Sequence, residues 1–217
     1  MGKYKILNLY ACLGGNRYKW DEVSDNLEIT AIELDPELAR LCQERFHNDI
    51  VIISDAHQYL LDDYKEFDFI WSSPPCPSHS RLVTGNKNKL KMQYPEMGLY
   101  QEVIFLDNFF KGKYVVENVI PYYKPLIQAK KRGRHLYWTN FNLPTDINER
   151  PPIGLCTGKD EHKRLEIFHD FKCKSNIGGY RDVLRNLVDY EAGRTILETV
   201  FGIERQKSNQ VSIQFHP

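Results

Sequence analysis

The chain has 217 residues, of which 41% are hydrophobic and 27% are charged, and its 29 basic side chains equal its 29 acidic ones in number. This length and composition suit one globular α/β domain, with or without a small appendage, and exclude a low-complexity chain. The balanced charge neither indicates nor excludes a polyanionic partner, because a local basic patch can form on a neutral protein.

The apolar segments and the cysteines narrow the class of protein further. No apolar run is long enough to cross a membrane, and the one near the N-terminus is too short for a signal peptide. The five cysteines are scattered and none forms a CxxC pair, so we expect neither a disulfide framework nor a metal site. The sequence therefore predicts a cytoplasmic protein with reduced thiols.

Strand and helix signals alternate along the first two thirds of the chain. In chain order the predicted elements are strand 5–11, helix 16–24, strand 28–34, helix 36–46, strand 50–53, helical turn 57–63, strand 67–72, loop 78–92, helix 97–110 and strand 113–116. Asp35 before Pro36 supplies the cap and the first-turn residue of the second helix. This alternation with short connections predicts an α/β fold with a doubly wound, mostly parallel sheet.

The pattern changes after residue 140. Residues 142–180 are rich in proline and glycine and show no clear period, which indicates a small irregular subdomain or a long functional insertion. Helical spacing resumes over 183–201, and we expect the polar tail 204–217 to be flexible.

Polar and glycine residues lie where the predicted strands end, which is where open α/β sheets bind ligands. Gly14 and Gly15 let a ligand approach the backbone after the first strand. Glu33 can accept hydrogen bonds from both hydroxyls of a ribose, and Asp55 can accept one from an adenine amino group. The turn lacks the GxGxxG pattern of dinucleotide enzymes, and no GxxxxGK[ST] motif occurs, so S-adenosylmethionine is the better candidate for the cofactor.

Cys76 lies in a stiff turn, Pro-Pro-Cys-Pro, directly after the fourth predicted strand. The prolines fix φ and lower the entropy of the loop, so the thiol is held in place. A thiolate is a soft nucleophile that can add to an electron-poor ring carbon. Many cysteines are only small buried hydrophobic residues, which is the interpretation we favour for Cys12, Cys42 and Cys173. The polar setting of Cys76 favours a nucleophile.

Charged residues also follow the fifth predicted strand. Glu117 could protonate or hydrogen-bond a ring nitrogen, although the same segment could be a helix start capped by Asn118. Arg132 and Arg134 are one residue apart at the start of a strand, so we expect their side chains to point the same way. They could bind a carbonyl oxygen or phosphates, or they could form a solvated basic edge.

Taken together, these residues resemble the DNA (cytosine-5)-methyltransferase family. The resemblance rests on the order of the glycine turn, Glu33, Asp55, Pro-Pro-Cys, Glu-Asn-Val and Arg-x-Arg, and it covers residues 5–141. It implies a Rossmann-like, S-adenosylmethionine-dependent methyltransferase fold. It also implies transfer of a methyl group to C5 of a flipped cytosine in double-stranded DNA, an activity of EC 2.1.1.37 type that leaves S-adenosyl-L-homocysteine.

The resemblance implies a role for each matching residue. Cys76 would add to C6 of cytosine, Glu117 would engage N3 and the 4-amino group, and Arg134 with Arg132 would contact the O2 edge. The positions that match the cofactor site are Tyr10, Gly14, Gly15, Glu33, Leu34, Asp55, Pro74, Asn186 and Val188. The positions assigned to DNA contact are Ser78, Ser80, Arg81, Lys87, Lys89 and Lys91.

The resemblance also divides the chain. It implies a catalytic domain over 1–141, a short target-recognition region over 142–180, a helix over 181–203 that completes the catalytic domain, and the tail 204–217. The expected protein is a monomer or weak dimer that binds DNA without a metal, of the kind found in restriction–modification systems, phages or mobile elements. Tyr10, Cys12 and Pro77 stand where the family usually has Phe, Gly and Gln.

Three alternatives remain open at this point. Ser73-Pro74-Pro75 is similar to the turn of amino-methyltransferases that act on N4 of cytosine or N6 of adenine, but that chemistry needs an aromatic residue where Cys76 stands. A tRNA cytosine-5 methyltransferase would use the same cysteine chemistry. An inactive DNA-binding homologue would keep the fold, although the joint presence of Cys76, Glu117 and Arg134 speaks against it.

Overall fold

A computed structural model of the chain describes residues 2–81, 94–147, 161–172 and 179–203. The strands in these residues are β1 (Tyr4–Leu9), β2 (Leu27–Glu33), β3 (Ile50–Ile53), β4 (Phe69–Ser72), β5 (Lys113–Val119), β6 (Lys130–Arg132) and β7 (His135–Thr139). The α-helices are α1 (Pro36–Arg45), α2 (Ala56–Asp63), α3 (Gly98–Phe109), α4 (Glu161–His169), α5 (Tyr180–Asn186) and α6 (Tyr190–Phe201).

The strands form one sheet in the order β3-β2-β1-β4-β5-β7-β6. Strands β1 to β5 are parallel, whereas β7 is antiparallel to both of its neighbours, β5 and β6. The predicted α/β class with a mostly parallel sheet is therefore confirmed. The strand order reverses between β1 and β4, which creates a crevice at their carboxyl ends where such sheets bind ligands.

Helices cover both faces of the sheet, so its central strands are buried on each side. Ile6, Phe69 and Val115 pack against one face with residues of α6. Their chain neighbours point to the other face, because side chains alternate along a strand, and they pack with residues of α2 and α3. This double burial explains the nearly continuous apolar runs from which the strands were predicted.

The predicted helix over 16–24 is wrong, because only a 3₁₀ turn forms there, at Trp20–Glu22. Asn16 and Arg17 are buried and use their side chains in tertiary contacts. Asn16 bonds to Asn8 of β1, and Arg17 makes two hydrogen bonds of 2.9 Å to Asp49. These contacts to distant residues hold the segment as an irregular turn.

The single helix predicted over 183–201 is also wrong, because it is divided into α5 and α6. Leu187 has an extended backbone, and Asp189 caps the second helix by accepting a hydrogen bond of 2.8 Å from the backbone N–H of Glu191. The break at residues 187–189 brings a turn to the ligand-binding edge of the sheet.

Much of the predicted target-recognition region lies outside the described residues, namely 148–160 and 173–178. The described part between them is not irregular, since it contains α4. Leu165 of α4 packs with Leu184 of α5, and Arg185 forms an ion pair with Glu161. The proposed division into four parts remains a prediction, and the tail 204–217 lies outside the described residues.

Candidate active site

A cavity of about 980 Å³ opens at the carboxyl ends of the parallel strands. Its volume is at the upper end of the range of cofactor and ligand pockets. The predicted site residues that line it are Tyr10, Glu33, Leu34, Asp55, Pro74, Cys76, Glu117, Arg134, Asn186 and Val188. Residues predicted from separate strand ends therefore meet around one space.

The two glycines of the turn after β1 are closely packed and do not line the cavity, although Tyr10 and Cys12 of the same turn do. Gly14 has a φ of +66°, and a Cβ added there would lie 2.3 Å from the ring of Phe46. A Cβ added at Gly15 would lie 2.4 Å from the carbonyl oxygen of Val188. The glycines thus allow the turn to pack against the end of α1 and against the 187–189 turn.

Glu33 holds the strained part of this turn. Tyr10 and Cys12 both have positive φ values, 56° and 50°, which are unfavourable for residues with side chains. The backbone N–H of Cys12 donates to Oε2 of Glu33 at 2.8 Å, and that of Asp35 donates to Oε1 at 3.0 Å. The carboxylate at the end of β2 therefore joins the turn after β1 to the start of α1.

Cys12 is only partly buried and lines the cavity, but the protein around it desolvates its thiol. Burial, and secondarily the carboxylate of Glu33, raise the pKa of Cys12 to about 12. The thiol is therefore protonated near neutral pH and is a poor nucleophile. The raised pKa speaks against a nucleophile at this position, although the side chain is not fully buried as the sequence interpretation expected.

Leu34 and Asp55 complete the side of the cavity next to β2 and β3. Leu34 is 66% exposed although it is apolar, and it presents its side chain to the cavity. Asp55 caps α2 through a 2.8 Å hydrogen bond from the backbone N–H of Gln58. The expected cap at Asp35 also forms, since Asp35 accepts hydrogen bonds from the backbone N–H groups of Glu37 and Leu38.

The loop that carries Cys76 is held by hydrogen bonds to its backbone carbonyl groups. The backbone N–H groups of His79 and Ser80 both donate to the carbonyl oxygen of Cys76 at 3.0 Å. The side-chain amide of Asn118 donates to the carbonyl oxygen of Pro74 at 2.8 Å. Asn118 lies within β5 and is buried, so it ties the proline turn to the sheet and does not cap a helix.

Glu117 acts electrostatically on the Cys76 thiol. Burial raises the pKa of the Cys76 thiol above its ordinary value of 9.0, and the negative charge of Glu117 raises it further. Glu117 is buried, and its Oε1 lies 3.6 Å from Nε2 of His135, which also lines the cavity. The resting thiol is therefore protonated near neutral pH.

We expect alkylation of Cys76 by iodoacetamide to be slow near pH 7 and to accelerate as the pH rises through and beyond about 9, because only the thiolate reacts. Glu117→Gln removes a nearby negative charge and should shift this profile to lower pH. Peptide mass spectrometry separates Cys76 from the other cysteines. An unchanged profile in the Gln variant would contradict the electrostatic link.

The two arginines of Arg-x-Arg do not point the same way, in contrast to the sequence-based expectation. Gly133, with a φ of +50°, lies in the turn between β6 and β7, so Arg132 and Arg134 stand on opposite sides of that turn. The guanidinium of Arg132 donates to the carbonyl oxygens of Leu143 and Pro144, away from the cavity. Arg134 lines the cavity.

The residues assigned to DNA contact do not line the cavity where they are described. Ser78 Oγ accepts a 3.0 Å hydrogen bond from the backbone N–H of Glu96. Ser80 forms a β-bridge with Pro121, and Arg81 Nε donates to the carbonyl oxygen of Pro121 at 3.3 Å. These contacts hold the segment that follows Cys76 against the end of β5. Lys87, Lys89 and Lys91 lie outside the described residues.

Residues 4–131 match the family described as C-5 cytosine-specific DNA methylase, and the match covers more than half of the chain. The chain belongs to this family. The resemblance proposed from the sequence is therefore confirmed. As a member of this family, the methylase is a methyltransferase. The family implies S-adenosylmethionine as the methyl donor and DNA as the substrate. No curated protein compared with the chain matches it.

One solved structure supports the fold, and two others are similar to part of the chain. A methyltransferase from Entamoeba histolytica, EhMeth, aligns with 93% of this chain and 99% of its own length, with a TM-score of 0.54 and 10% identity. A DNMT2 mutant from Spodoptera frugiperda covers 54% of this chain with 21% identity and a TM-score of 0.39, and only 36% of that protein is matched. A TehB-like SAM-dependent methyltransferase from Corynebacterium glutamicum covers 55% of this chain and 56% of its own, with 16% identity and a TM-score of 0.35.

Two features are absent from the part of the methylase that the structure describes. No group of three or more His, Cys, Asp or Glu side chains is arranged to hold a metal ion there. Within the same residues, no helix combines the length and the apolar character needed to cross a membrane.

Sequence reasoning missed several polar residues at the cavity. His57, His79 and His135 line it, although none of them was predicted as a site residue. Glu102 of α3 lies just behind the cavity wall and is fully buried. Its signal in the sequence is a single carboxylate inside the apolar stretch LYQEVIFL, at a spacing that places it on the buried face of the helix.

Proposed function

We propose that this methyltransferase transfers a methyl group from S-adenosylmethionine to C5 of a cytosine in double-stranded DNA, through a covalent bond between Cys76 and C6. The observation that carries the proposal is the shared cavity of Cys76, Glu117 and Arg134 with the strand-end carboxylates Glu33 and Asp55. A nucleophile, an acid and a cofactor site are the components that this reaction requires.

The hydrogen-bond acceptors and the apolar surface of the cavity fit the cofactor. Glu33 has carboxylate oxygens that can accept further hydrogen bonds from ribose hydroxyls, and Asp55 can accept one from an adenine amino group. The exposed side chain of Leu34 offers an apolar surface to the adenine ring. Tyr10, Pro74, Asn186 and Val188 would enclose the rest of the molecule. When bound, S-adenosylmethionine supplies an electrophilic methyl group and leaves as S-adenosyl-L-homocysteine.

Cys76 begins the reaction on the base. Its thiol loses a proton to water or a base, and the sulfur forms a bond to C6 of cytosine. Glu117 takes up a proton as the base binds and donates it to N3, so the electrons displaced from the C5–C6 double bond are drawn toward the ring nitrogen. C5 then carries the electron density needed to accept the methyl group.

Elimination completes the cycle. A base or water removes the proton from C5, the C5–C6 double bond forms again, and the bond from C6 to Cys76 breaks to release the thiolate. N3 returns its proton to Glu117. In this scheme Arg134 contacts the O2 edge of the cytosine, while Arg132 supports the Arg134 turn through its bonds to residues 143 and 144.

The target base must leave the duplex to reach Cys76, which costs a few kcal/mol of unstacking. We propose that Ser78, Ser80 and Arg81, with Lys87, Lys89 and Lys91, contact the DNA around the flipped base. Residues 142–180 would then read the target sequence. A monomeric or weakly dimeric state, a cytoplasmic location and a restriction–modification, phage or mobile-element setting remain predictions.

The function is tested by expressing the protein in methylase-free cells and sequencing the DNA after bisulfite conversion. We expect protected cytosines within one short recognition sequence, which would define activity and specificity together. Nucleoside mass spectrometry of the same DNA separates 5-methylcytosine from N4-methylcytosine and N6-methyladenine. Methylation of purified tRNA without methylation of duplex DNA would favour a tRNA enzyme, and cofactor binding without any methyl transfer would favour an inactive homologue.

A further inference from the structure

Glu102 of α3 is a fully buried carboxylate that is contacted by side chains from three other parts of the chain. Its Oε1 accepts a 2.5 Å hydrogen bond from the hydroxyl of Tyr10 and lies 3.1 Å from Nδ1 of His57. Its Oε2 accepts a 2.5 Å hydrogen bond from the hydroxyl of Ser72. Tyr10 follows β1, Ser72 ends β4 and His57 lies in α2, whereas Glu102 lies in the middle of α3.

The position of this carboxylate is costly unless its hydrogen bonds are made. A buried carboxylate is tolerated when donors satisfy both oxygens, and removal of one donor leaves a large penalty. The hydrogen-bond donors to Glu102 meet this requirement, and they lie on two sides of the crevice. Tyr10 belongs to the cofactor side of the cavity, and Ser72 precedes the proline turn of Cys76 by two residues on the nucleophile side.

The donors are in the right protonation states for these bonds. Burial, followed by the charge of Glu102, raises the pKa of Tyr10, so its hydroxyl keeps its proton. The hydrogen bond to Glu102 is also the largest cause of the raised pKa of His57. Tyr10 has a positive φ, which is unfavourable for a residue with a side chain. The hydrogen bond from its hydroxyl to Glu102 helps to hold the backbone in this conformation.

We propose that Glu102 is a positioning residue that holds Tyr10 on the cofactor side and Ser72 on the nucleophile side in one hydrogen-bonded arrangement. The inference rests on the proposed function, because it assigns the cofactor to the Tyr10 side. The proposal has a specific consequence for Ser72, which is buried and does not line the cavity, so it cannot contact the cofactor directly. A change at Ser72 should alter cofactor binding through Glu102 and Tyr10.

The test is the dissociation constant of S-adenosylmethionine, measured by calorimetry on the full chain without DNA, for Tyr10→Phe, Ser72→Ala, their double variant and Glu102→Gln. We expect Tyr10→Phe to weaken binding by about tenfold and Ser72→Ala by about threefold, because each deletes a hydrogen bond to a charged group. The double variant should lose less than the product of the two effects, since both act through one carboxylate. Tyr10→Phe and Ser72→Ala are small changes, so the test does not depend on the stability of Glu102→Gln.

Tyr114→Phe is the matched control. Tyr114 lies in β5, and its hydroxyl donates to Asp107 of α3, the helix of Glu102, at 3.1 Å, but neither Tyr114 nor Asp107 lines the cavity. We expect this variant to lower the melting temperature without changing cofactor affinity. The proposal is overturned if Ser72→Ala binds the cofactor as tightly as the unchanged protein, or if the effects of Tyr10→Phe and Ser72→Ala simply multiply.

The outcomes also separate this inference from the proposed function. A protein that binds S-adenosylmethionine but methylates no DNA contradicts the function, while the four affinities still decide the role of Glu102. A protein that methylates DNA but shows no coupling between Tyr10 and Ser72 contradicts the inference alone. Absence of cofactor binding by the unchanged protein would overturn both.

Discussion

Cys76→Ser should reduce methyl transfer to cytosine by at least about a thousandfold, because a serine hydroxyl does not form the anion that attacks C6 near neutral pH. The dissociation constant of S-adenosylmethionine should stay within about twofold, since the change removes no predicted cofactor contact and nearly preserves the volume of the side chain. Transfer of labelled methyl groups to duplex DNA and calorimetric titration with the cofactor measure the two quantities.

Cys42→Ala is the control for this experiment. Cys42 is also a free thiol, but it is buried in α1 and does not line the cavity, so methyl transfer should persist in the variant. DNA that carries 5-fluorocytosine adds a second readout, because fluorine at C5 does not leave as a proton does and the Cys76 adduct is trapped. Unchanged turnover in Cys76→Ser would refute the nucleophile assignment.

Glu117→Gln should slow methyl transfer by about 100- to 10,000-fold, the usual contribution of a positioned acid or base. The amide keeps the shape of the side chain but does not donate and recover the N3 proton as a carboxyl group does. The same substitution lowers the pKa of Cys76, because it removes the second cause of the raised value. A variant with a more reactive thiol and a much slower turnover would separate the acid role of Glu117 from its effect on the nucleophile.

Glu198→Gln provides the comparison. Glu198 is likewise a largely buried carboxylate, but it lies on α6, outside the cavity, beside Arg194. Its substitution should lower stability slightly and leave the rate of methyl transfer within about threefold. A Glu117→Gln enzyme that turns over as fast as Glu198→Gln would show that Glu117 is not the proton donor.

The part of the fold that depends on local pattern was predictable. The parallel strands are buried on both faces, so their apolar runs stand out in the sequence, and the cap at Asp35 is a local signal. The helix predicted over 16–24 failed because Arg17 and Asn16 bond to residues distant in the chain. The break at 187–189 was missed because apolar spacing continues across Leu187 and Val188.

Part of the candidate site could also be predicted from where the strands end in the sequence. Glu33, Asp55, Cys76 and Glu117 were predicted because parallel strands end at one edge of the sheet, and the cavity includes all four. Arg132 was assigned from the Arg-x-Arg resemblance and from its spacing to Arg134, but across the turn at Gly133 its side chain bonds to residues 143 and 144 instead. The glycines of the turn after β1 were predicted as ligand contacts, yet they pack against protein.

The sequence by itself determined the chemistry available to this protein and the sheet that orders it, because residue types and apolar periods are local properties of the chain. Only the tertiary structure decided which polar groups act together. Glu102 meets Tyr10 and Ser72 across separations of 92 and 30 residues, and Asn118 reaches Pro74 across 44. Such pairs form when the sheet brings the strand ends together, and burial then makes each hydrogen bond necessary.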